Sequence, residues 1–366
     1  MVGRGNGERL KKNQLVLGLI VLAVLVALVV WGRDRIHFNF DTFRAQLALA
    51  DWRKIGIAFG CIYLAYVFRS VRWASLLRHT KKVPPFSLLG TQVMGFTAIA
   101  LIGRVADPVR PYLVARKTNL PLSSQLGVYI VERMFDMGSM ALIFSSVLLT
   151  THEALPHPEL LSRVAKGGLI VTAGMALFTI GVRIAGGLVA VFLEKSLGVF
   201  SAKLGHSVGN KIRTFRSGLD TLRSFSDFGV AAALSLGMWG LISLAYLETT
   251  TAFVASKELA TMTLPRCMVL MASSLLASGF QLPVLGWFTQ IGIVEEAMRN
   301  LFAVAAEPAT ACATVLLAVT FLGIIPIGLI WAQFEHVSLR KVAAESGHAR
   351  EELQDEAAPE SLDSDV

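Results

Sequence analysis

Residues 126–149 read LGVYIVERMFDMGSMALIFSSVLL, an apolar run of bilayer-spanning length that carries Glu132, Arg133 and Asp136 in its first half. A spanning helix needs about 20 mostly apolar residues to cross roughly 30 Å of hydrocarbon. A charged side chain at its centre costs roughly 2.5–3.5 kcal/mol, so three unpaired ones would cost on the order of 8–10 kcal/mol. They must therefore be compensated. On a helix Glu132 and Asp136 are i, i+4 neighbours and Arg133 lies three residues before Asp136, which gathers them into one partly neutralised patch. That patch is expected to face protein or water, not lipid.

Working outward, 54% of the 366 residues are hydrophobic and 16% are charged, too apolar a balance for a soluble globule. The expected fold is all-α, a polytopic transmembrane helical bundle. Further apolar runs occupy 15–31, 55–73, 86–102, 168–193, 230–256, 267–288 and 309–334. The chain divides into a basic N-terminus (1–14), a membrane domain (15–335) and an acidic tail (336–366) expected to be disordered. Trp31-Gly32-Arg33 follows the first run without a small-residue cleavage site, so that run is expected to be an uncleaved helix. Cys61, Cys267 and Cys312 lie in apolar runs without a C-x-x-C pair, which indicates neither a disulfide frame nor a thiolate metal site. The net charge of +8 sits beside apolar spans and reads as loop bias and attraction to anionic lipid, with no nucleic-acid partner.

The excess of Lys and Arg on cytoplasmic loops places the N-terminus in the cytoplasm of an inner-membrane protein, and the basic stretch Arg69, Arg72, Arg78, Lys81, Lys82 on the same side. If residues 86–102 then crossed fully, the basic stretch from Lys195 to Arg223 would fall outside. The conflict disappears if 86 to about 120 enters and leaves on one face as a re-entrant hairpin. Gly90, Gly95 and Gly103 are read as loosening it, and Pro108 and Pro111 as breaking it. Pro283, Gly286 and Gly292 interrupt a corresponding segment before Glu295, Glu296 and Arg299. Two broken polar segments in matching halves point to a site between them. Residues 38–54 read as an interfacial helix on the outer face, and 197–228 as a basic cytoplasmic amphipathic helix lying on anionic lipid or packing under the bundle. Trp31, Trp52, Trp73 and Trp331 read as interface anchors, and the Gly56-x-x-x-Gly60 step as a close-packing site within or between subunits.

Gly103-Arg104-Val105-Ala106-Asp107-Pro108-Val109-Arg110, then Glu132-Arg133-Met134-Phe135-Asp136, then Gly292-Ile293-Val294-Glu295 follow one another along the chain. Their order and spacing resemble the lysylphosphatidylglycerol synthetase transmembrane-region (flippase-like) family, whose members carry G-R-x-x-[ED]-x-x-R, E-R-x-x-D and a Gly/Pro-rich G-x-x-E segment. The chain departs from that pattern at Ala106-Asp107, where relatives commonly have Gly-Glu, and at Pro283-Val284-Leu285-Gly286, where they commonly have Pro-Gly-Gly. The resemblance implies movement of a modified phospholipid or related polar lipid between leaflets, in some members beside a soluble synthetase domain. None follows here, so the expectation is a translocator and not an enzyme, with a separate lipid-modifying enzyme as a candidate partner and no cofactor.

Moving a lipid requires a polar path for the head group while the tails stay in hydrocarbon. Arg104, Arg110, Arg116 and Arg133 offer forked donors suited to a lipid phosphate. Asp107, Glu132, Asp136 and Glu295 can hold those arginines, bind an amino head group or carry a proton. The candidate substrate-binding set is thus Arg104, Asp107, Arg110, Glu132, Arg133, Asp136 and Glu295. The competing reading of the intramembrane charges is an ion network that only fixes helix register. For Glu295, Glu296 and Arg299 it is a surface ion pair. A membrane-embedded enzyme and a non-transporting scaffold are the other functional readings. The seven histidines form no pair at metal-ligand spacing within a span, and no G-x-S-x-G is present.

Overall fold

The computed structural model describes residues 39–198, 224–277 and 285–356. Among these, every regular element is helical: α1 (Phe40–Leu49), α2 (Trp52–Leu77), α3 (Pro85–Ile102), α4 (Val109–Thr118), α5 (Leu122–Thr150), α6 (Pro158–Gly198), α7 (Phe225–Thr251), α8 (Lys257–Ala260), α9 (Leu264–Ala277), α10 (Leu285–Phe302), α11 (Ala306–Leu317), α12 (Ile324–Phe334) and α13 (Leu339–Glu356). Among the described residues, six helices are long and apolar enough to cross a membrane: α2, α3, α5, residues 158–179 of α6, α7, and the continuous run 306–334. The first apolar run and most of the basic helix read at 197–228 lie outside the described residues.

Helix starts follow local chemistry. Asn39 and Asp51 cap α1 and α2 through their side-chain oxygens, and Ser224 with Asp227 forms a capping box on α7. The α2 and α7 helices pack antiparallel. At one end Asp51 N–H donates to the Ala252 carbonyl at 2.8 Å. At the other, Arg78 pairs with Asp227, and His79 meets the same carboxylate at 2.9 Å. This second end also holds Lys81, Lys82 and the Lys117–Glu335 pair at 2.6 Å, and is called the basic end below.

Length and composition alone would count α3 as a crossing, but the chain turns back at Gly103, whose φ of 92° favours glycine. Helix α4 returns along α3 and ends at Asn119, in the left-handed region at φ 51°. Lys81 Nζ, before α3, donates to the Thr118 carbonyl at the end of α4 at 2.7 Å, so both arms open at the basic end. Gly90 and Gly95 do not loosen α3, which is continuous. They make room, because a Cβ at Gly90 would lie 2.0 Å from Trp331 and one at Gly95 2.2 Å from Cγ of Arg110.

Within the 267–288 run, the described helix is too short to span. Helix α9 has 14 residues, which at 1.5 Å each reach about 21 Å, short of the hydrocarbon thickness. It begins at the far end, where Arg266 pairs with Glu153 at 2.6 Å. Its packing partner α10 finishes close to Ala306, and Glu307 there accepts from Asn39 N–H at 3.2 Å. Thus α9 and α10 open at the end opposite α3 and α4. Trp287 Nε1, near the inner end of α10, donates to the Ala100 carbonyl in the last turn of α3 at 3.2 Å. The two hairpins therefore enter from opposite ends and touch inside the bundle.

Between α11 and α12, residues Ala318–Leu322 are π-helical, and Gly323 N–H reaches back five residues to the Ala318 carbonyl at 2.7 Å. Tyr63 donates to the Gly323 carbonyl at 2.9 Å, and Thr97 to that of Ile324 at 3.2 Å.

Other expectations change. The tail is helical to Glu356, because Leu339 and Val342 bury against Ala106, Val109 and Leu113 while Tyr112 donates to Glu345 at 3.1 Å. A short apolar stripe is enough when a hairpin supplies its other half. Residues 38–54 split into α1 and the start of α2. Trp73 is not an anchor: it is fully buried and donates to Gln125 at 3.1 Å. Gly56 and Gly60 have no neighbour within 4 Å that a Cβ would meet, so they pack against nothing in the described chain.

Candidate functional site: a buried arginine–carboxylate centre

The centre is assembled by antiparallel packing of two spacings. Arg69 and Arg72 stand i, i+3 on α2, and Glu132 and Asp136 stand i, i+4 on α5. Packed antiparallel, the helices bring Arg72 to both carboxylates, each at 2.7 Å, and Arg69 to Asp136 at 3.1 Å and Glu132 at 3.5 Å. One turn further along, the Trp73–Gln125 bond fixes the same register. From the hairpin, Arg110 Nη2 donates to Glu132 at 2.7 Å, and Arg110 donates through Nε and Nη2 to Gln92 of α3 at 3.0 and 2.6 Å. Arg72 also donates to Ser235 of α7 at 2.5 Å. Five helices, α2, α3, α4, α5 and α7, thus converge around two carboxylates.

Burial is severe. Glu132 is 0% exposed, Arg72 and Arg110 1%, Asp136 4% and Arg69 8%. Guanidinium groups keep their proton in proteins, and each carboxylate lies within salt-bridge distance of several, so all are charged. Arg133 completes the set at 3.1 Å from Asp136, with 38% of its side chain exposed. Four arginines face two carboxylates, a formal excess of two positive charges. Aromatic faces absorb part of it: the guanidinium carbons of Arg110 and Arg69 lie 4.5 and 4.7 Å from the Phe96 ring centre, and that of Arg133 lies 5.2 Å from Tyr129.

Donors outnumber acceptors as well. Arg72 Nε, Gln92 Nε2 and Arg133 Nε and Nη2 are buried atoms without a hydrogen-bond partner among the described residues. The Arg133–Asp136 contact is close in distance but not directed as a hydrogen bond. Such a centre has the donors and the charge to hold an acceptor-rich anion.

An apolar cleft of about 220 Å³ lies around α5 from the carboxylates, between α5, α6 and α7, lined by Val131, Phe135, Leu142, Met175 and Leu236 among others. Thr172 and Thr179 there return their hydroxyls to backbone carbonyls of α6, at 2.8 and 2.7 Å. They therefore offer methyl groups to the cleft, a surface suited to hydrocarbon.

Of the residues expected from sequence, Arg110, Glu132, Arg133 and Asp136 meet in this centre. Asp107 is near enough to act electrostatically on Arg133 and Tyr129. Arg104 is exposed at the turn of the hairpin, and Arg116 is exposed near the end of α4. Glu295 does not join: it lies on α10, paired with Arg299 one turn on at 3.5 Å. Its G-x-x-E position belongs to the hairpin that opens at the other end. Sequence reasoning missed Arg69, Arg72, Gln92 and Ser235. Arg69 and Arg72 were read as loop cations, yet Trp73-Ala74-Ser75-Leu76-Leu77 continues the apolar helix beyond them and was the signal that they lie inside it.

Fold and site together define an all-helical integral membrane protein organised around a buried, positively biased charge centre. The sequence model described as Lysylphosphatidylglycerol synthase TM region matches residues 15–329, and the chain belongs to that family. No curated protein matches the chain, and no solved structure does.

Proposed function

We propose that this protein moves a phosphate-bearing polar lipid between the leaflets of the cytoplasmic membrane, with its basic end in the cytoplasm. The observation that carries the reading is the excess of charge and of donors in the buried centre. A lipid phosphate is acceptor-only, and guanidinium forks bind it in bidentate fashion. Both carboxylates are committed to arginine partners, which favours binding over catalysis. The two oppositely inserted hairpins support translocation, since short helices that meet inside a bundle can expose a central site to either side. The apolar cleft beside α5 suits an acyl chain during passage.

The test reconstitutes the purified protein in liposomes with head-group-labelled phospholipid and measures label crossing between leaflets, alongside mass spectrometry of co-purified lipid. Arg133→Ala is expected to abolish both crossing and lipid enrichment at normal abundance. Equal bulk lipid in both samples, with crossing unchanged, would refute the reading in favour of a non-transporting scaffold.

A further inference from the structure

Resting on that reading, we infer that the lipid taken by this centre ends in a phosphomonoester and is not an aminoacylated lipid, the class named in the family's description. The inference follows from charge counting. Arg69, Arg72, Arg110 and Arg133 exceed Glu132 and Asp136 by two charges within one contiguous set of ion pairs. Adding Arg104 and Asp107 of the hairpin turn leaves the excess unchanged. An uncompensated charge out of water is strongly disfavoured, so the bound state is best balanced by a ligand of about two negative charges. A phosphomonoester carries about −1.5 to −2 at neutral pH, whereas a phosphodiester carries one. A lysyl ester of a phosphodiester lipid has two ammonium groups against one phosphate, and would add positive charge to a positive site.

The hydrogen-bond inventory agrees independently. The vacancies at Arg72 Nε, Gln92 Nε2 and Arg133 Nε are all donors, and Arg133 Nη2 is held only by an undirected contact to Asp136 at 3.1 Å. The unfilled acceptor, Asp136 Oδ1, already sits 2.7 Å from Arg72. An ammonium group brings three more donors and no acceptor. A terminal phosphate brings three acceptor oxygens. Arg133 is the specificity-determining residue, being the arginine of the set with a partly exposed side chain and, deeper in, a buried Nε donor still unfilled.

Full-length protein in lipid nanodiscs is titrated with phosphatidic acid, phosphatidylglycerol and lysyl-phosphatidylglycerol of one acyl composition, with inorganic phosphate as a competitor. Phosphatidic acid is expected to bind roughly tenfold or more tighter than the lysyl lipid. Arg133→Gln, which leaves an excess of one charge, should lower that ratio severalfold, and Arg133→Lys, which keeps the charge, should preserve most of it. Lysyl lipid binding as tightly as phosphatidic acid overturns the inference while leaving a lipid translocator standing. No lipid binding above bulk overturns both. Displacement of phosphatidic acid by an equal concentration of inorganic phosphate would make this a free-anion site and also overturn it.

Discussion

Glu132→Gln isolates the electrostatics of the centre with almost no change of shape. The carboxylate is fully buried and receives Arg72 and Arg110 at 2.7 Å each, with Arg69 at 3.5 Å. The amide keeps the volume, removes one of two negative charges and raises the formal excess from two to three. Breaking a buried pair from one side costs about 3–5 kcal/mol, because the partners stay buried without compensation. Equilibrium unfolding of the purified protein in mixed micelles measures this loss. Glu296→Gln is the control: Glu296 is exposed and stands 3.9 Å from Arg299, an arrangement worth under about 1 kcal/mol. Adding Arg110→Gln to Glu132→Gln removes one stranded charge and should recover about 1 kcal/mol or more. If Glu132→Gln unfolds within about 1 kcal/mol of the control, the charges are not coupled as described and the centre is wet and loosely held.

Three further outcomes are expected. Gly328→Val should destabilise by about 1–3 kcal/mol, because a Cβ there would lie 1.9 Å from Thr97 Oγ1; Gly60→Ala, facing open space, should leave stability unchanged or raise it by up to about 1 kcal/mol in the same assay. Trp73→Phe removes the donor to buried Gln125 and should cost roughly 1–3 kcal/mol in micellar unfolding. Truncation after Ser338 uncovers Ala106, Val109 and Leu113, and should raise amide hydrogen exchange across 104–113 while exchange in α7 stays unchanged.

Sequence reading reached the class, the hairpin at 86–120 and half of the charge centre, for a physical reason. Charges such as Glu132 and Asp136 are conspicuous against hydrocarbon, and Gly103 and Pro108 mark the break between α3 and α4, although Pro111, also read as a breaker, sits in the first turn of α4. Arg69 and Arg72 were hidden because cations near a span end are what a cytoplasmic loop also shows. Only the facing helix distinguishes the two cases. Gln92 is a single amide within an apolar helix, and its role exists only because the hairpin folds Arg110 back onto it. Glu295 was misplaced because motif order along the chain says nothing about which end of the bundle a hairpin enters. The helical tail was missed because its apolar stripe is short and its partner surface is built from residues more than two hundred positions earlier.

The π-helical turn at Ala318–Leu322 has a consequence for how this span tolerates length changes. A π-turn takes up one extra residue, so everything beyond it faces about 100° away from where an unbroken α-helix of the same sequence would put it. The span therefore behaves as two half-helices with independent facings: the first serves α1 and α10, and the second presents Gly328 to Thr97 and Trp331 to Gly90. Deleting one residue within Ala318–Leu322 would restore a regular α-helix, and the sequence would look almost untouched. Gly328 would still face Thr97 and Trp331 would still face Gly90, because the wide turn had already taken up the residue that is removed. A one-residue deletion in this apolar stretch would thus be absorbed at the π-turn and leave the charge centre undisturbed.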